Sequence, residues 1–438
     1  MNEKFNLKTQ LLVSGLVISI LTGTAGVVAI TNTITRVEAE TLGVVWEKTY
    51  GGSADDWGST VIHTSDGGFA VFGTTNSFGE GGQDFWLIKT DANGAVLWNN
   101  TYGGSDNDHG FVVLQTADHG FAMLGHTESF GKGGKDFWIV RVDPQGNHLW
   151  NNSYGGPADE IFRSAVSTSD GDFILTGATW SYGTGGQNIW LLKVNSTGQV
   201  AWNRTLGAGR GLSVIQTTDG GFALSGGHGI HKTNSTGHLE WKNPFGTAGH
   251  DFFNNIIQTS NGAYLLSGGS DLHGAAGSND FILVKVLENG TVDWIKTYGG
   301  FGWDNSCCDK ALVETANGDF LLTGETNSFG AGQSDAWVVK TNASGNELWH
   351  KALGGSSDDT GLAILLNTDG TFMVVGGTAS KGAGNDDFWL IKAMETSVSA
   401  SGFQIGEIFF FVVGALVLII RLRRLRPSEK IKQTSGRI

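Results

Sequence analysis

Proline is nearly absent from this chain, 4 of 438 residues, and cysteine is rarer still at 2. With 68 glycines beside so little proline, collagen-like and proline-rich disordered readings are both excluded. Charged residues make up only 16%, yet the formal balance is −14. The basic residues Arg421, Arg423, Arg424, Arg426, Lys430, Lys432 and Arg437 crowd a short C-terminal tail. The acidic body therefore carries no basic stripe, which argues against a nucleic-acid partner and suits solubility and cation binding. Catalytic signatures are also missing. No Ser-His-Asp or Cys-His constellation can be placed, and no carboxylate pair stands out from the many acids as a glycosidase pair.

What the chain does have is repetition. A marker tryptophan recurs at Trp46, Trp98, Trp150, Trp202, Trp241, Trp294 and Trp349. Units of about 50 residues fit a propeller better than a helical solenoid. Each unit reads as four strands. In the first, Thr60–Thr64 is strand a, Phe69–Thr74 strand b, Phe85–Thr90 strand c and Ala95–Tyr102 strand d. Tight glycine turns separate a from b and c from d. Large residues alternate as sheets stacked face to face require. The chain opens on a d-type strand, Val44–Tyr50, and closes on a c-type strand, Phe388–Ala393. The expected fold is an all-β, seven-bladed propeller of four-stranded antiparallel blades over residues 44–393. In it the N-terminal strand completes the last blade and hides two sheet edges.

These units resemble the β-propeller repeats of bacterial and archaeal surface proteins. The run Asp91, Gly94, Trp98 is also similar to the tryptophan-docking motif of quinoprotein propellers. The resemblance implies the fold; propellers host many unrelated functions. It also raises a quinoprotein-like dehydrogenase as a minor alternative, against which stand seven units where those enzymes usually have eight blades, and no matching quinone or calcium ligands.

Residues 1–39 read as an export signal or an uncleaved N-terminal anchor. Lys4 and Lys8 precede the apolar stretch Leu11–Ile30, and Val37-Glu38-Ala39 offers a cleavage site. Residues 394–402 read as a linker and 403–420 as a transmembrane helix, since that apolar run spans a hydrocarbon core. The basic tail, 421–438, then lies in the cytoplasm. The propeller is expected outside the cell membrane, on a single pass, or a double one if the first segment stays. The sequons Asn99, Asn151, Asn195, Asn203, Asn234, Asn289 and Asn342 make it a candidate glycoprotein. The b–c and d–a connections are long and share one face, here called the loop face, where binding usually resides. Connectivity turns that face away from the membrane.

A residue present in every unit is architectural, so departures from the repeat are the functional candidates. Trp57, Trp180 and Trp303 fall outside the marker positions, in loop-face connections, where they would stack on a sugar or a partner protein. Asp56, Asp108, Glu160, Asp251, Asp304 and Asp359 recur after the d–a glycines, and a ring of them would hold Ca²⁺ at the channel mouth. The other reading is a set of turn acids. No other cofactor is implied. A second acidic set, Asp84, Asp136, Asp280, Asp335 and Asp387, precedes strand c and reads as structural. Cys307 and Cys308 are expected to form a vicinal disulfide that stiffens their loop. The fourth unit is short and loses its b–c loop, and His228, His231, His238 and His250 fall in or near it. The favoured function is a non-enzymatic surface module that binds a glycan or a surface protein. An extracellular polysaccharide-active enzyme is the alternative.

Overall fold

Burial follows the position of each strand within its repeat. In the first unit, Phe69–Thr75 and Asp84–Thr90 are buried at every residue, whereas Asp56–His63 alternates and Val96–Tyr102 is largely open. Only sheets stacked face to face cover their two middle strands on both sides while leaving the inner and outer strands half wet. The computed structural model describes residues 28–29, 38–226, 228–246, 251–272, 279–306, 308–399 and 409–410. Every regular element among them is a strand. The chain divides into Ala39–Val398 and a second unit made of Met1–Glu38 with Ser399–Ile438. Of the second unit, Val28–Ala29 and Phe409–Phe410 are described as a short antiparallel pair. Both expected membrane segments lie almost wholly outside the described residues. Among those residues no helix is long and apolar enough to cross a membrane.

The first unit is a propeller of seven blades, each a four-stranded antiparallel sheet in the order a-b-c-d. Blade seven is assembled from both ends of the chain, with Glu38–Tyr50 lying beside Asp387–Ser399. Both strands run further than their apolar alternation implies, the second through Met394 to Ser399. The N-terminal strand also reproduces a contact made elsewhere. Glu47 accepts the Trp389 indole N–H at 3.2 Å, as Asn99 accepts that of Trp86 at 3.1 Å and Asn151 that of Trp138 at 3.2 Å.

The marker tryptophans lock blade to blade. Trp46, on the closing strand, lies against Gly94 in the c–d turn of blade one, where an added Cβ would come within 3.0 Å of its ring. Gly94 has φ +76, so a glycine is required there both for the backbone conformation and for the close approach. The Tyr50 hydroxyl donates to the Gly94 carbonyl at 2.7 Å, and Tyr102, Tyr154 and Tyr298 do the same to Gly146, Gly198 and Gly345. Trp349 has no such turn ahead of it, because blade seven takes its outer strand from the N-terminus. It packs instead with Leu42 and Ala393 in the closing cluster.

A second repeated device ties strand c to the a–b turn. Lys89 pairs with Asp66, Arg141 with Asp118, Lys193 with Asp170, Lys232 with Asp219, Lys340 with Asp319 and Lys392 with Asp369. The basic side chains reach out of otherwise apolar strands, with stems buried and heads neutralised at the rim.

Strand a carries a bulge in six blades. The register shifts around Ser59, Phe111, Arg163, Leu212, Asn254 and Leu362, leaving each without a cross-strand partner. These six residues line a single cavity together with Cys308 and Asp309 of blade six. Only the axis of the ring touches every blade, so the bulge residues face the central channel. Blade six differs. Its inner strand is split into Asp304–Asn305 and Leu312–Glu314, and Cys308 and Asp309, from between the two pieces, line the channel. Ser306 O accepts the Asn254 amide at 3.2 Å, and Lys310 O accepts Ile364 N–H at 2.9 Å. Asp309 accepts the hydroxyls of Ser164 at 2.7 Å and Ser213 at 2.6 Å, from blades three and four.

Candidate binding face

The d–a and b–c connections of each blade are stitched together, and the acid that opens strand a does the stitching. Asp56 is fully buried. It accepts Gly52 N–H at 2.9 Å from the d–a loop, the Ser77 hydroxyl at 2.7 Å from the b–c loop, and the Thr75 hydroxyl. Asp108 accepts Gly104 N–H and the Ser129 hydroxyl, both at 2.9 Å. Glu160, one methylene longer, reaches Gly156 N–H and the Thr179 hydroxyl, both at 2.7 Å. Asp304 and Asp359 repeat the pattern with Ser328 and Ser380, and Asp251 is equally buried.

These contacts favour the reading of turn acids engaged within each blade over a ring of cation ligands at the channel mouth. Each is the first residue of its strand rather than a loop residue; Asp56, Glu160, Asp304 and Asp359 give both oxygens to hydroxyls and amides of their own blade, and Asp108 gives one. No three metal-ligating side chains come together among the described residues.

The acids preceding strand c are structural too. Asp84 accepts Glu80 N–H at 2.7 Å, and its other oxygen points at Gly103, where an added Cβ would lie 1.5 Å away. Burial, then the charges of Asp108 and Glu80, push its carboxyl up to about 6.

The three singled-out tryptophans do not form one patch. Trp57 is the second residue of strand a, not a loop residue; it leans on Gly377 of blade seven and donates its indole N–H to Asp386. Burial, then the neighbouring Asp55, raises the Asp386 carboxyl. Trp180, in the b–c loop of blade three, is 37% exposed. Trp303 is 39% exposed in the loop entering blade six, three blades away.

Beside Trp303 stands a residue that sequence reasoning passed over. Phe301 is 89% exposed. Its counterparts are Ser53, Ser105, Pro157 and Ser356, so the same rule of departure from the repeat would have found it. The backbone around it is held at three points. Gly300 N–H donates to Asp304 at 2.8 Å, Gly302 N–H to the Ser328 hydroxyl at 2.8 Å, and Trp303 O accepts Asn327 N–H at 2.9 Å. Two aromatic rings are thus presented to solvent on an anchored loop. By contrast Phe78, Phe130, Tyr182 and Phe329 in the b–c loops lie on Trp86, Trp138, Trp190 and Trp337, and are architectural.

Cys308 lines the channel, while Cys307 lies outside the described residues and with it the expected bridge. His250 lies outside them as well. His231 is buried in strand c of blade four, and that burial, then Lys242, lowers its imidazole to about 4. The b–c loop of that blade is lost as expected: strand b ends at Gly226 and strand c starts at Gly229. The sequons divide by structural role. Asn195, Asn234 and Asn342 close c–d turns by accepting backbone N–H groups, and Asn289 sits in such a turn. Asn99, Asn151 and Asn203 are exposed on outer strands.

No family model matches the chain, and no curated protein does. Solved structures do. The WD40 domain of Pan2 from Neurospora crassa superposes with a TM-score of 0.52 at 11% identity, over 80% of this chain and 95% of that one. The extracellular domain of a protein assigned as a hybrid two-component system from B. thetaiotaomicron gives 0.45 at 12%, over 77% and 39%. Puromycin hydrolase gives 0.42 at 12%, over 74% and 50%. At such identities the likeness is one of fold.

Proposed function

We propose that this β-propeller is a non-enzymatic binding module, displayed outside the cell membrane, whose loop face engages a glycan or a surface protein at blade six. The observation that carries this reading is the pair Phe301 and Trp303, exposed on a loop whose backbone is tied at Gly300, Gly302 and Trp303. A rigid aromatic platform loses little conformational freedom on binding. Its rings suit the C–H faces of a sugar or an apolar anchor of a protein. Trp180 supplies a separate contact on blade three. Display at the surface is supported by the two apolar runs and the basic tail. Calcium has no part in this reading, because the strand-a acids are engaged within their own blades.

Full-length protein in detergent, screened against a glycan panel and against extracts of surface protein, tests the reading. A binder should lose at least tenfold in affinity with Trp303→Ala or Phe301→Ala, while the unfolding midpoint stays put. Turnover of a polysaccharide that a single loop-face carboxylate change abolishes would replace the binding module with the enzyme alternative.

A further inference from the structure

The central channel holds a positive charge that no carboxylate among the described residues pairs. Arg163, the bulge residue of blade three, lines a cavity of about 190 Å³. Its Nε is buried without a hydrogen-bond partner, and no ion pair joins Arg163 to a carboxylate among the described residues. The one carboxylate in the wall, Asp309, is committed elsewhere. Ser164 and Ser213 donate to its two oxygens, and the Lys310 ammonium stands 3.7 Å from it. Burial first, then the like charge of Arg210, pulls the Arg163 guanidinium below its ordinary value, with Cys308 acting the other way. In a chain of net charge −14, a half-buried guanidinium with no carboxylate partner among the described residues is unusual, since charges withdrawn from water are ordinarily paired.

The rest of the wall is mostly apolar. Phe111, Leu212 and Leu362 come from blades two, four and seven. We propose that this cavity binds a small organic carboxylate, its two oxygens on the Arg163 guanidinium and its apolar body against Phe111, Leu212 and Leu362. A guanidinium presents a planar fork that matches a carboxylate. One lining cation balances one negative charge, and the apolar walls disfavour a dianion such as phosphate. Cys308 and Asp309 supply the blade-six wall, and the bonds of Ser306, Asp309 and Lys310 to blades three, four, five and seven hold the cavity open in this shape. This site is independent of the loop-face reading, and either can stand without the other.

The test is calorimetric titration and thermal unfolding of the full chain with butyrate, benzoate and inorganic phosphate as probes. Butyrate or benzoate should bind saturably and raise the unfolding temperature, and phosphate should do neither. Arg163→Met should abolish the carboxylate-dependent rise while being at least as stable as the wild type without ligand, because an unpaired charge is gone. Arg163→Lys keeps the charge, loses the fork and should weaken binding at least tenfold. It decides the matter if the methionine variant does not fold. Three results would overturn the proposal: no carboxylate binding to the wild type, equal binding by Arg163→Lys, or phosphate binding as tight as butyrate.

Discussion

Asp359→Ala probes the stitching of the loop face at an acid with both oxygens engaged. The carboxylate is buried and accepts Gly355 N–H at 2.8 Å, the Ser380 hydroxyl at 2.7 Å and the Thr378 hydroxyl. A hydrogen bond to a charged group contributes about 1.5–3 kcal/mol, and a buried donor left without an acceptor costs about 1–3 kcal/mol. The three donors share one centre, so their losses do not add, and water enters the truncated space from the open end of the loop. The expected loss is about 3–5 kcal/mol. Asp359→Asn keeps an acceptor oxygen but not the charge, and should lose about half as much. Urea unfolding of the full chain, followed by tryptophan fluorescence with EDTA and again with added Ca²⁺, gives both values. The reasoning fails if Asp359→Ala lies within about 1 kcal/mol of the wild type, below the loss of one such bond. It also fails if Ca²⁺ stabilises the wild type and the substitution abolishes that effect.

The remaining predictions concern pH and closure. Asp66 is exposed, and the desolvation that raises its carboxyl is outweighed by hydrogen bonds from Thr64 and Lys89, which hold it at about 2; Asp170, Asp219 and Asp369 are likewise near 2. Their folded values lie below the unfolded 3.8, so their stabilisation is complete above about pH 4 and fades as pH falls towards 2. The urea midpoint should drop across that window, and less steeply in Asp369→Asn. Asp84 has the opposite sign: its folded value is raised to about 6, so its contribution declines as pH rises from about 4 to 6. Asp84→Asn should raise the midpoint at pH 7 and change little near pH 4; a lower midpoint at pH 7 would contradict the burial argument. Trp46→Ala should remove about 2–3 kcal/mol, less than for a fully buried ring, because the closing strand loses its dock on Gly94. A change no larger than that of an exposed substitution would mean the closure is not anchored there.

Seven blades were legible because stacking demands the same thing of every unit. The alternation around Phe69–Thr75, the turn glycine Gly94 and the marker Trp98 recur in phase, and the surplus strand at the N-terminus has only one place to go. The bulges were not legible. Nothing in a single strand marks Ser59 or Arg163 as the residue that drops out of register and turns to the axis, since that depends on pairing with strand b. For the same reason Asp56 read as a loop acid and a cation ligand. Its partner Ser77 lies a whole hairpin away, and only folding shows that the hydroxyl reaches it. Phe301 was within reach of sequence reasoning. Phenylalanine in a glycine-rich loop departs from the repeat as clearly as the tryptophan two residues on. The pairing of Lys89 with Asp66 recurs in six blades, and could have been found by asking why strand c keeps one basic residue in an apolar run.

Hydrogen exchange of the full chain, with and without the binder recovered from the glycan and surface-protein screen, tests the location of the binding face most directly. Protection confined to the loop around Gly299–Asp304, with a weaker effect near Trp180, is the predicted result. Protection on the outer strands or the c–d turns, with the Phe301 loop unchanged, would contradict it.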